Sequence, residues 1–250
     1  MNSIRLKSLA FLLTVAIAFS CHQDDEAPSY VINNSVKPVD FLTEKAYNTL
    51  NIEVAYVEGY QPSAAALTNL NFFLSQLINK SGGIIITQHT IPATGKVSVD
   101  ANYIREMEKA QRKSTTSGKT LTAWITFLDT EYDESTSNSK VLGITYGASS
   151  IAVFEKTVYS YVQPDMPSRG SLETVILNHE FGHVLGLVNN GTPMASPHQD
   201  TGHGSHCSDT ECLMYWKSEK NINLGDLLGG DKLPELDVNC RADLKAAGGK

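Results

Sequence analysis

The chain has 250 residues, 41% of them hydrophobic, and a formal net charge of −7, the composition of a folded protein that can bury a core in one large domain or two small ones. The acidic balance and the lack of a basic stripe exclude nucleic acid and anionic lipid surfaces as partners. The densest basic run, "REMEKAQRK", is interrupted by Glu106 and Glu108 and reads as a solvated helix face.

At the N-terminus, Arg5 and Lys7 precede the apolar run "LAFLLTVAIAF", which ends at Ser20 and Cys21. This is the pattern of an export signal over residues 1–20, too short for a comfortable membrane span, and no other segment approaches 18 consecutive apolar residues. The stretch "AFSC" resembles a bacterial lipobox, which implies that Cys21 is acylated and becomes the first mature residue. The stretch after it is acidic, then rich in Pro, Asn and Ser, and without hydrophobic period, so residues 21–45 are expected to form a flexible tether. Its cluster Asp24, Asp25 and Glu26 is similar to the surface-export signal of Bacteroidetes lipoproteins. The expected location is the outer membrane, on its periplasmic or cell-surface face, with residues 46–250 as the folded domain.

Within that domain, "LNIEVAYVEGY" is a strand by its β-branched and aromatic residues, and the segment opening at Pro62 and Ser63 has the three-and-four apolar spacing of a helix. "GGIIITQHTIP" is a second strand, "VDANYIREMEKAQRKS" a helix or helical crossover, and "TLTAWITFLDTEYD" a third strand. "VLGITYG" and "SIAVFEKTVYSYV" are read as two more strands joined by a Gly/Ser turn. Ser171 is read as the cap of the helix "LETVILNHEFGHVLGLV", with Glu173 in its first turn. The long stretch from Val188 to about Asp231 has little periodicity and is too long for an idle loop. A last helix is expected in "LPELDVNCRADLKAA". This β-α-β-α-β-β-β-α order predicts a twisted mixed five-stranded sheet with helices packed on it, of α+β class.

The sharpest chemical signal is "HEFGH". Four helical residues turn through about 400°, so His179 and His183 project from one face and can grip a single metal ion. Glu180 lies about 100° round from His179, beside that ion, where a base can take a proton from water. The pattern asks for zinc, which lowers the pKa of bound water from about 15.7 towards about 7 and polarises a carbonyl. A catalytic site of this type has three protein ligands. Asn189, His198, Asp200, His203 and His206 are the candidates for the third, with Asn189 poor as a neutral, weak donor.

"HEFGHVLG" resembles the start of the metzincin signature, HExxHxxGxxH/D followed by a methionine turn, and "HCSDTECLM" resembles its archaemetzincin continuation. The resemblance implies His206 as the third ligand, Met214 as the methionine beneath the metal, Gly186 as the sharp exit from the helix, and residues 188–205 as an insertion. His203 is the rival ligand; His198, Asp200 and His203 are otherwise expected on the surface, or in a weak second cation site with Asp209 and Glu211. The chain departs from archaemetzincins in lacking the further CxxC of their second zinc site, since only Cys240 remains. In an oxidising compartment Cys207 and Cys212 are therefore expected to form a disulfide, with Cys240 as an alternative partner. Tyr215 and Trp216 are expected to pack beneath the site or line a pocket.

The expected activity is that of a monomeric endopeptidase using one zinc ion. Glu180 serves as general base, and a protein or peptide substrate pairs with an edge strand drawn from "VLGITYGASSIAVFE". The alternatives are a non-catalytic surface lipoprotein that binds partners around a structural zinc, closed by His203 or Asp200, and a zinc hydrolase of a non-peptide amide or ester.

Overall fold

The computed structural model describes residues 36–162, 168–218 and 233–250. The expected export signal, the acylated Cys21 and the acidic cluster at Asp24, Asp25 and Glu26 lie outside the described residues. Folding begins ahead of residue 46. Helix α1 (Pro38–Leu42) buries Phe41 and Leu42 completely, and the Lys80 ammonium donates to the carbonyls of Asp40, Thr43 and Tyr47. Residues 36–45, expected as the end of a tether, are thus packed and hydrogen-bonded: Val36, Phe41 and Leu42 join the main core.

The elements then run β1 (Thr49–Val57), α2 (Ala64–Leu77), β2 (Ile84–Ile91), β3 (Ser98–Val99), α3 (Ala101–Gln111), β4 (Thr120–Phe127), β5 (Glu131–Tyr132), β6 (Gly143–Gly147), β7 (Ser150–Val153), α4 (Glu155–Ser160), α5 (Arg169–Val184) and α6 (Val238–Ala246). Five strands form one sheet in the order β2-β1-β4-β7-β6, and β3 pairs with β5 in a separate short ladder. The first four strands of the large sheet are parallel, and β6 returns antiparallel to β7. The central strands β1 and β4 are buried along most of their length, as continuous apolar runs with both faces covered should be, whereas the edge strand β2 alternates.

Two local expectations are corrected. The last expected strand stops at Val153, and "EKTVYS" forms α4, which seats Val158 fully buried in the main core. Helix α5 is capped by Ser168, not Ser171: the Ser168 hydroxyl accepts from the Ser171 amide at 3.1 Å. The helix is therefore longer at its start, and Glu173 is buried in it beside Arg169.

Helix α5 carries the HExxH run through the middle of the core, with every residue from His179 to Val184 buried. Its exit is set by Gly186, which has φ +77°; the Leu187 amide donates back to the Gly182 carbonyl at 3.1 Å, closing the helix with a left-handed residue. A Cβ at Gly186 would lie 2.6 Å from Pro38 Cγ and 2.7 Å from the Thr192 amide nitrogen, so α1 and the following loop seat directly on that glycine.

Candidate metal centre

One turn of helix separates His179 from His183, and the loop reaching His206 brings a third imidazole to the same point. Ligand atoms of the three residues lie within 4.8 Å of one another, and all three residues are buried. His179 Nε2 and His183 Nε2 are 3.1 Å apart. Nitrogens bound at about 2.0–2.1 Å to one tetrahedral zinc stand roughly 3.3 Å apart, so the donor set fits zinc. The far ring nitrogens are fixed by carbonyls, which only accept. His179 Nδ1 donates to Leu213 at 2.7 Å, and His206 Nδ1 donates to His203 at 2.5 Å. Both rings are thereby held in the tautomer whose Nε2 carries the ligating lone pair.

Glu180 is fully buried beside this group. The Thr145 hydroxyl, on β6, is 2.9 Å from both Glu180 Oε2 and the Glu180 carbonyl. A cavity of about 330 Å³ adjoins the centre, lined by Thr145, Tyr146, Gly147, His183 and Asn190 among others. The end of β6 and one of the metal-competent histidines therefore face the same space.

Met214 is fully buried under α5. A Cβ on Gly182 would sit 2.3 Å from its Sδ, so the helix needs a glycine where the methionine passes. Asn189, at φ +63°, donates from Nδ2 to Gln199 Oε1 at 3.4 Å. His203 is exposed, bonded to Asp200 at 2.7 Å, and stacked on Trp216 with ring centroids 4.3 Å apart. Tyr215 is half-buried and tilted against Trp216.

The largest corrections concern the cysteines and His198. Cys207, Cys212 and Cys240 are buried free thiols, not a disulfide pair and a remainder. Cys212 and Cys240 sulfurs are 3.7 Å apart, far beyond the roughly 2.05 Å of a disulfide bond. His198, expected on the surface, is 5% exposed. Its Nδ1 lies 3.4 Å from Cys207 Sγ and 4.0 Å from Cys240 Sγ, while its Nε2 donates to Asp243 at 2.7 Å. Arms of about 2.3 Å to sulfur and about 2.0 Å to nitrogen give tetrahedron edges of roughly 3.8 and 3.5 Å, so these separations suit one ion.

Cys207 is held far below the usual thiol range by hydrogen bonds from Cys212 and Cys240, against the opposing effect of burial. Cys212 is pushed up to about 12, chiefly by its bond to Cys207. His198, Cys207, Cys240 and Asp237 offer ligand atoms within 4.8 Å of one another; Asp237 Oδ1 caps α6 by accepting from the Cys240 amide at 2.7 Å, and its Oδ2 lies 3.6 Å from Cys207 Sγ. Cys212 Sγ instead accepts the Met214 and Asp237 amides, each at 3.4 Å. Asp200, His203, Asp209 and Glu211, expected as partners of His198 in a weak cation site, do not join it. The odd thiol count had left Cys240 unassigned without pointing to His198, and Asp243 and Thr145 carried no signal of their own.

No protein-family model matches the sequence, and no curated protein matches it. Among solved structures the chain is similar to an archaemetzincin from Methanopyrus kandleri, with TM-score 0.53 and 14% identity over 80% of this chain and 96% of that one. A metalloproteinase-II from Bacteroides fragilis aligns with TM-score 0.39 and 13% identity over 82% of this chain and 55% of that one, too loose a match to bear on the fold. The sheet order and the first likeness together give this chain an archaemetzincin-like fold.

Proposed function

We propose that the chain is a zinc-dependent endopeptidase with His179, His183 and His206 as the metal ligands and Glu180 as general base. The observation that carries this reading is a buried group of three imidazoles, with a buried glutamate beside it and no fourth protein ligand among the described residues. A structural zinc would be closed by four, and His203, the expected fourth, is engaged with Asp200 and Trp216. Zinc bound there supplies a more acidic water and a polarised carbonyl. Glu180 takes the proton from the attacking water and returns it to the leaving amine. His179 and His206 are kept in register by the Leu213 and His203 carbonyls. Met214 floors the helix beneath them. An extended peptide would pair with β6, whose outer edge has no strand partner among the described residues.

A second zinc, purely structural, would be held by His198, Cys207, Cys212 and Cys240, with Asp243 orienting the His198 ring. It would tie the loop carrying His206 to α6, taking the place of the expected disulfide. Export, acylation at Cys21 and attachment to the outer membrane complete the proposal.

The test uses the chain from residue 22 onward with labelled casein as substrate. Two zinc ions per chain are expected, falling to one in His206→Ala and in His198→Ala. Glu180→Gln should keep both ions and lose turnover by about 10²-fold or more. Full activity in Glu180→Gln would overturn the general-base assignment. Turnover of small esters with none of casein would favour the non-peptide hydrolase, and zinc without any turnover the binding lipoprotein.

A further inference from the structure

Resting on that reading of Glu180, we infer that Thr145 is a positioning residue that ties the general base to the strand along which the substrate would lie. Three observations on β6 converge. The Thr145 hydroxyl stands 2.9 Å from Glu180 Oε2 and 2.9 Å from the Glu180 carbonyl oxygen. Gly143, two residues earlier and on the same face of the strand, leaves room for the glutamate: a Cβ there would lie 3.1 Å from Glu180 Cγ and 2.7 Å from Ile176 Cγ2. Thr145 also lines the cavity that it shares with His183. The glutamate side chain is therefore seated against β6 as well as on its own helix.

The chemistry follows from the single proton of a hydroxyl, which is donated to one acceptor at a time. While Glu180 is ionised, the charged oxygen is the stronger acceptor and the bond runs to Oε2. Thr145 thus holds the carboxylate in one orientation against β6. A peptide paired along β6 would be placed in register with the base, because the same strand holds both.

Two variants separate this role from packing. Thr145→Val keeps the shape and removes the hydroxyl; Thr145→Ser keeps the hydroxyl and removes the methyl. With labelled casein, Thr145→Val should lower kcat roughly tenfold or more, the loss expected for a hydrogen bond to a charged group. KM and zinc content should stay unchanged, and Thr145→Ser should remain within about threefold of the parent. Equal losses in both variants, or an unchanged kcat in Thr145→Val, would overturn the inference. An independent readout is the Glu180 carboxylate in crystal structures of the parent and Thr145→Val. It should rotate away from β6 in the variant with α5 unmoved, and an unmoved carboxylate would overturn the inference as well. If the zinc-loaded parent cleaves no casein, the endopeptidase reading fails, while the two crystal structures still decide whether Thr145 positions Glu180.

Discussion

Replacing Gly182 by alanine tests the packing of Met214 under the metal-bearing helix, and the structure predicts that the effect changes sign with the residue at 214. The added Cβ would lie 2.3 Å from Met214 Sδ and 3.1 Å from its Cε. Met214 cannot simply retreat. Its carbonyl accepts from the Cys207 amide at 2.8 Å and its amide donates to Cys212 Sγ at 3.4 Å. The preceding Leu213 carbonyl holds His179. Two effects oppose each other. Alanine in a helix interior is favoured over glycine by about 0.5–1 kcal/mol, but overpacking a tight core costs about 1–3 kcal/mol. Gly182→Ala should therefore destabilise the protein by about 1 kcal/mol. Met214→Ala alone should cost about 2–5 kcal/mol by opening a cavity. In that background the new methyl meets empty space, so Gly182→Ala should stabilise by about 0.5–1 kcal/mol. The coupling, about 1–3 kcal/mol, is measurable by equilibrium guanidinium unfolding of the four proteins at one fixed zinc concentration. An effect of Gly182→Ala with the same sign and size in both backgrounds would refute the seating of Met214 against Gly182.

Gly186→Ala forces a side chain into a left-handed residue and against Pro38 and Thr192; at about 1–2 kcal/mol for the conformation and about 1–3 for the crowding, Tm should fall by at least about 5 °C. A Tm within a degree of the parent would show that the exit of α5 tolerates a Cβ. Glu155 and Glu173 are both fully buried and share Arg169, at 3.7 and 3.3 Å. The Glu155 carboxyl is pushed up to about 10, first by burial and then by the charge of Glu173. A folded-state pKa raised above the unfolded value of 4.5 gives a contribution that is whole below 4.5 and is lost as pH rises to about 10. Glu155→Gln, which stays neutral, should show a shallower fall in unfolding midpoint than the parent between about pH 5 and about pH 9; parallel profiles would refute a raised Glu155. In His198→Ala the buried thiols should react with a disulfide reagent without prior chelation, whereas in the parent they should react only after zinc is removed. Equal reactivity in both would argue against a metal on those sulfurs.

Much of the centre was legible from local pattern because helical geometry is local. The spacing of His179, Glu180 and His183 fixes their relative directions on any helix, and Gly186 marks where that helix must end. The strands β1, β2 and β4 were legible for a similar reason: continuous or alternating apolar runs report which faces are covered. Short-range signals were weaker where tertiary burial decided the outcome. "EKTVYS" has β-forming residues yet becomes α4, whose Val158 packs into the core. Phe41 and Leu42 looked like part of a tether until the core supplied a surface to bury them, with the Phe41 ring 6.1 Å from that of Phe181 on α5.

His206 lies 23 residues beyond His183, and only a resemblance of pattern singled it out from its neighbours. The second cluster was beyond local reading altogether. His198, Cys207 and Cys212 meet Cys240 and Asp243 from α6, and no periodicity connects residues so far apart in the chain. A histidine in a polar loop reads as exposed; it is buried here because a carboxylate on a distant helix satisfies one nitrogen and sulfurs surround the other. Sequence alone determined which residues could ligate a metal. The fold decided which of them meet, because only the packing of α6 against the His206 loop brings their ligand atoms within reach of one ion.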